Sequence, residues 1–265
     1  MHDTDDPFYG DDATRLLQQR RDAEVEEMMN TPGAVGHARA FTSDDPETLG
    51  WDKIREVFVR EGFVSLRGID EEMLQEGLDQ LADMGPVAHR WDIFLGTAEE
   101  IRASSTPMVA RGLPAGITRQ VDETIDWSSL HEMQAFLSEH GVSPFSKLAL
   151  SGELFPAKPV ILRKPDGAIA AAAFAGITHN AYSWLHDIAW VGLVAVDPEL
   201  RGFGLGKTVD AMANLVAVDE LGAKGATEFA APDNAASRAV LMACGLTHTG
   251  RKAIIYSRST QRMTR

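Results

Sequence analysis

Hydrophobic positions in the first part of the chain recur mostly at helical spacing. Between Asp12 and Met29, Leu16, Leu17 and Val25 stand among many charges, a helical pattern that "NTPGAVG" breaks. "DDPETLGWDKIREVFVREG" predicts a capped helix with Trp51, Ile54, Val57 and Phe58 on one face. "FVSLRGI" has strand length and strand composition, and "DEEMLQEGLDQLADMG" predicts a further helix closed by Gly85. Residues 1–11 read as a loose acidic arm, and Trp91 and Phe94 read as core without an assigned element.

Around residue 112 the texture changes. "GITRQV" predicts a strand and "DWSSLHEMQAFLSEHG" a helix with Leu130, Met133 and Leu137 on one face. "KPVILRKPDGAIAAAAFAGITHN" predicts two strands joined at Pro165-Asp166-Gly167, the strongest hairpin signal in the chain. "HDIAWVGLVAV" is a long apolar strand. A helix then begins inside a glycine loop, with Leu205, Val209, Met212, Ala213 and Val216 on one face and Gly222 as its stop. "GATEFAA" predicts a strand, "PDNAASRAVLMACG" a helix capped at Pro232, Asp233 or Asn234, and "AIIYSR" a last strand. The order from residue 112 onward is that of a mixed α/β domain.

Composition changes this picture little. The chain has 265 residues, 44% hydrophobic and 24% charged, which is ordinary for a globular protein and long enough for a sizeable core. A net charge of −14 argues against nucleic acid as a partner, because a phosphate backbone calls for a basic surface. Cys244 is the single cysteine, so no internal disulfide can form, which suits a reducing, cytoplasmic setting. The acidic start "MHDTDDPFYGDD" is not a secretory signal, and the most apolar run, "AIAAAAFAGI", is too short to span a membrane.

The chemistry is carried by "RGFGLGKT", residues 201–208. A Walker loop needs glycine at position 201, which is Arg201, and a dinucleotide loop needs a third glycine at 207, which is Lys207. R-x-x-G-x-G fits, as Arg201, Gly204 and Gly206. Pro198 ends the preceding strand because it lacks a ladder donor, and the loop turns directly into a helix whose free N–H groups attract anions.

This stretch resembles the pyrophosphate loop of the GCN5-related N-acetyltransferases, in which a strand ending V-x-P leads through [RQ]-x-x-G-x-[GA] into a helix. Val196, Pro198, Arg201, Gly204 and Gly206 match it, and Asn234 through Gly245-Leu246 matches a second element of the family. The resemblance covers residues 112–258. It implies an α/β fold with a mixed, splayed central sheet flanked by helices, preceded over residues 1–111 by a mainly helical α+β extension of unassigned role. Residues 112–265 would form the catalytic domain.

It also implies acetyl-CoA as cosubstrate, no metal, a small-molecule amine as acceptor, and no nucleic acid or membrane; a homodimer is left open. Backbone N–H groups of Arg201, Gly202, Phe203, Gly204, Leu205, Gly206 and Lys207 would hold the pyrophosphate. Leu193, Val194, Ala195 and Val196 would pair with the pantetheine arm, which enters a gap between their strand and "GATEFAA". Asn234 is either a helix cap or a donor to the arm, and Arg238 either a surface charge or a contact to a CoA phosphate.

The chain departs from the family twice. Leu241 stands where a Tyr often protonates the leaving thiolate, and Val191-Gly192-Leu193 carries no acid where a Glu is frequent. His186 and Asp187, at the start of the same strand, are the nearest titratable substitutes in sequence, with His179 at the end of the preceding one, since a His near its ordinary pKa of ~6.5 can act as base; Tyr182 and Tyr256 are alternative donors to the thiolate. Cys244, at a helix C-terminus, reads as a buried small residue and not a nucleophile. A direct N-acetyltransferase is the function implied, with a silent acyl-CoA-binding module as the alternative.

Overall fold

The computed structural model describes residues 5–36 and 39–259. Their elements in chain order are α1 (Asp12–Asn30), β1 (Ala34–Val35), β2 (Thr42–Ser43), α2 (Pro46–Leu49), α3 (Trp51–Glu61), β3 (Phe63–Ile69), α4 (Glu71–Gln80), β4 (Val87–Thr97), α5 (Ala98–Val109) and β5 (Thr118–Arg119). Then follow α6 (Trp127–Glu139), α7 (Lys147–Ser151), β6 (Ala157–Arg163), β7 (Ile169–Gly176), β8 (Ile188–Val196), α8 (Leu205–Leu215), β9 (Gly225–Ala230), α9 (Ala235–Ala243) and β10 (Thr247–Ser257). All ten strands join one sheet in the order β1-β2-β3-β10-β4-β9-β8-β7-β6-β5.

The sheet runs across the division expected at residue 112. β4, from the first part of the chain, lies between β10 and β9 and is antiparallel to both. β10 in turn pairs with β3. The mixed sheet flanked by helices is as expected, but β4 and α5 were not foreseen. α5 contains Pro107 and buries only Ile101 and Ser105, so its apolar pattern is weak, although Thr97 and Glu100 form a capping box at its start.

The hairpin at Pro165-Asp166-Gly167 is present. β6 and β7 are antiparallel, Gly167 has φ +89°, and Ala168 O accepts from Lys164 N at 2.8 Å. The alanines of β7, Ala170 to Ala173, are fully buried. Small side chains there let α8 lie close on the sheet, with Val209, Ala213 and Val216 in the same apolar cluster as α5's Ile101. The opposite face is packed by Leu130, Met133 and Leu137 of α6, Ala149 and Leu150 of α7, and Phe145 between them. A third cluster sits beneath α3 and α4. Each large side chain fully buried there, such as Phe58, contributes roughly 1.5–3 kcal/mol.

The arm expected to be loose is docked from residue 5 onward; residues 1–4 lie outside the described residues. Asp6 pairs with Arg15 at 2.5 Å, and Pro7 O accepts from Lys147 N at 2.8 Å. α1 itself is held by a buried guanidinium. Arg21 reaches Glu61 of α3 at 2.6 Å and Glu24 at 2.7 Å.

Candidate active site

The site is made by the parting of two strands. β8 and β9 run parallel and pair only at Ile188–Gly225, Ala189–Ala226 and Trp190–Thr227. On its other side β8 stays paired with β7, but the register shifts, so that Leu193 and Val194 face one residue of β7. Leu193 takes a left-handed backbone, φ +53°, which is uncommon for a branched side chain and bends the strand at this bulge. Past Trp190 the edge of β8 therefore leaves β9. A cavity of about 650 Å3 opens there, lined by Val191 to Val196 on one wall and Glu228 to Ala231 on the other.

The glycine loop lies at one end of this cavity. Gly202 (φ +86°) and Gly204 (φ +81°) turn the chain in a conformation that side chains disfavour. A Cβ at Gly204 would meet nothing within 4 Å, and that glycine caps α8 without a side chain to satisfy the helix's first N–H groups. Arg201, Gly202, Phe203, Gly204 and Lys207 are exposed, while Leu205 anchors the helix in the core. Arg201 and Gly206 line the cavity, and Arg201 Nε donates to Val196 O at 3.3 Å.

Asn234 also lines the cavity, and its Oδ1 accepts from Ser237 N at 3.0 Å, so it does cap α9. Arg238 is turned elsewhere. Its guanidinium pairs with Asp92 of β4 and lies over the Phe94 ring, 5.1 Å from the centroid. His186 and Asp187 are not brought to the cavity. They sit beyond the paired end of β8, 3.1 Å from each other, and Asp187 binds Lys224 at 2.8 Å. Both are partly exposed, with 49% and 36% of the side chain accessible.

Two acids that sequence reasoning passed over do reach the cavity: Asp210 of α8 and Glu228 of β9. Both are buried. Glu228 accepts from Asn214 Nδ2 at 2.8 Å. No amide, hydroxyl or basic group bonds to the Asp210 oxygens among the described residues; they face the Glu228 carboxyl and the Cys244 thiol. Burial raises Asp210 to about 6. Burial, then the Asp210 charge, raises Glu228 well above the usual carboxylate range. The pair thus holds a proton near neutral pH. The same surroundings push the Cys244 thiol far up, as fits a buried, unreactive residue.

Strand alternation divides the cavity. Glu228 turns to α8, whereas the next residue, Phe229, turns to the other face and lies under the Arg67 guanidinium at 4.9 Å. On that second face Arg39, Thr42, Ser65, Arg67 and Trp91 from the first part of the chain line the cavity together with His140 to Val142 at the end of α6. The sequence signal for these acids and arginines is a lone charge inside an otherwise apolar run, as in "VSLRGI" and "GATEFAA".

No protein-family model matches the chain, and no curated protein does. Solved structures do. A GCN5-related N-acetyltransferase from Kribbella flavida matches over 91% of this chain and 95% of its own, at 15% identity and a TM-score of 0.55. A Drosophila protein matches over 92% and 89%, at 15% identity and a TM-score of 0.56. A functionally unknown conserved protein from Staphylococcus epidermidis matches over 97% and 96%, at 12% identity and a TM-score of 0.52. The chain has the GCN5-related N-acetyltransferase fold, and that match takes in the first part of the chain as well as the second.

Proposed function

We propose that this protein is an acetyl-CoA-dependent N-acetyltransferase acting on a small-molecule amine by direct transfer. The observation that carries the reading is the parting of β8 from β9 directly beside an uncapped, glycine-led helix. The residues fit the cosubstrate. The open turn at Gly202 and Gly204 and the N–H groups that begin α8 suit a pyrophosphate, with Arg201 and Lys207 adding charge. The free edge of β8 from Leu193 to Val196 suits the amides of a pantetheine arm, and Asn234 lines the same cavity with an amide N–H to offer. Acetyl-CoA supplies an activated acetyl group as a thioester.

The chain's own contribution is orientation and a proton. Positioning an amine beside an acyl carbon accounts for much of the rate in such a site. Leu241 cannot protonate a leaving thiolate, but it lines the cavity one helical turn before Cys244, whose thiol faces Asp210. We assign the proton to the Asp210–Glu228 pair. A carboxyl group kept protonated by burial can donate one, and the amine gives one up on becoming an amide, so the pair is restored each cycle. Asp187 instead ties the paired ends of β8 and β9 through Lys224, with His186 beside its carboxylate.

The test is twofold. CoA should raise the melting temperature where Mg-ATP does not, because only a ligand of the native state stabilises it. An amine should accelerate release of free thiol from acetyl-CoA. Stabilisation by Mg-ATP at concentrations where CoA has no effect would overturn the assignment of the loop.

A further inference from the structure

The second face of the cavity holds more positive charge than the protein neutralises. Arg67 is 3% exposed and lies on β3, on a strand whose every residue is buried. Its Nη1 is 3.2 Å from His179 Nε2, and its Nε has no hydrogen-bond partner. His179 gives no compensating charge. Burial, and then the Arg67 charge, hold it neutral by lowering its pKa to about 3. Its Nδ1 faces Ile188 O at 3.4 Å, so Nε2 is the nitrogen left to accept from Arg67.

Arg39 lines the same face, with its guanidinium over the Phe145 ring at 5.5 Å from the centroid. Among the described residues neither Arg39 nor Arg67 forms an ion pair. Each feels the loss of solvent strongly, and Arg67 also feels Arg39. The carboxylate acting on Arg67 is Asp44, and it acts from a distance, with its Oδ2 taken by the Ser183 hydroxyl. Two guanidiniums therefore face one cavity wall with the field of one carboxylate between them. An uncompensated buried guanidinium is costly, and a planar fork of donors matches a carboxylate or phosphate.

We propose that Arg39 and Arg67 form an anion subsite for the acceptor, so that the amine acetylated by this protein also carries a carboxylate or phosphate group. The subsite lies on the face opposite the glycine loop and α8. An acceptor entering from that face meets the parted strands with its amine while its anion rests on the arginines. Ser65, on β3 beside Arg67 and lining the same wall, offers a hydroxyl to the same group. The phenyl ring of Phe229 fixes the Arg67 plane from below. This inference rests on the acetyltransferase reading for the identity of the amine, but the anion subsite is measurable without turnover.

The experiment uses the full chain and three amines of similar size: propylamine, β-alanine and 2-aminoethyl phosphate. With acetyl-CoA, the two anionic amines should exceed propylamine in kcat/KM by at least about 30-fold, the lower end of what an unpaired buried charge forfeits. Whichever of the two is better identifies the anion as carboxylate or phosphate. Arg67→Gln and Arg39→Gln should each erase most of that preference, read within each variant as the ratio of kcat/KM for the anionic amine to that for propylamine. Arg67→Lys, which keeps the charge but not the fork, should retain part of it.

Calorimetry with β-alanine and with 2-aminoethyl phosphate, in the presence of CoA, supplies the readout independent of chemistry. Binding by wild type and loss in Arg67→Gln, without any turnover, would uphold the subsite and count against the transferase reading. Turnover of all three amines at similar kcat/KM, unchanged in the arginine variants, would overturn the subsite and leave the transferase standing. Should Arg67→Gln fail to fold, Arg39→Gln and Arg67→Lys decide by the same comparison.

Discussion

Replacing Asp210 by asparagine tests the buried carboxyl pair through the pH dependence of stability. Burial raises the Asp210 carboxyl from 3.8 to about 6, so the folded chain keeps a proton there that the unfolded chain releases. The stability contributed by this group is fully present below about pH 4 and is lost as pH rises through about 6. The difference of roughly 2 pH units corresponds to about 3 kcal/mol once both states are ionised, at 1.36 kcal/mol per unit. Asp210→Asn has no such proton to lose. It also relieves Glu228, whose carboxyl the Asp210 charge helps to hold up, and this acts in the same direction. The lost contacts to Glu228 and Cys244 subtract about 1 kcal/mol at every pH. The variant should therefore be near or below wild type at pH 4 and gain about 2–3 kcal/mol relative to it by pH 8. Urea denaturation of both proteins at pH 4, 6 and 8 measures this, provided the m-values agree. Parallel stability curves would refute the raised pKa and, with it, the case for a proton held at the site. Turnover should fall in the same variant, although its fold is the more stable at pH 8.

Gly204→Asp and Gly206→Asp should each weaken CoA binding by about 100-fold or more, because a carboxylate at the start of α8 opposes the pyrophosphate; calorimetry on the folded variants reads it, and unchanged affinity would remove the phosphate from the loop. His186→Ala and Asp187→Asn should leave turnover and its pH profile intact while lowering the melting temperature slightly, since Asp187 ties the paired ends of β8 and β9 through Lys224, with His186 beside its carboxylate; a flattened pH–rate profile would return the proton chemistry to them. Glu61→Gln should cost about 3–5 kcal/mol in chemical denaturation, because it strips the buried Arg21 of its closest carboxylate; a loss under 1 kcal/mol would mean that Glu24 alone suffices.

What the sequence disclosed was local. The run from Val196 to Lys207 is one continuous strand, turn and helix start, so each residue's role follows from its neighbours. β4 escaped notice because its place between β9 and β10 depends on strands more than a hundred residues away, and because burial on both sides hides its alternation. The buried carboxyl pair and the arginines failed to register for a related reason. Asp210 interrupts an apolar helix face, and Glu228 and Arg67 each interrupt an apolar strand, and any one of these reads as an irregularity. A buried charge by itself does not distinguish a site from a strut. Arg21 is as buried as Arg67, yet it has Glu61 and Glu24 within 2.7 Å and ties α1 to α3. Arg67 has a neutral imidazole and an aromatic ring, and Asp210 has another acid and a thiol. The desolvation cost is alike in kind for all three, and only Arg21 recovers it within the protein. Arg67 and the Asp210–Glu228 pair stand on opposite faces of the parted strands, one short of an anion and the other holding a proton. That arrangement is matched by a substrate that brings its own negative charge to the first and yields a proton beside the second.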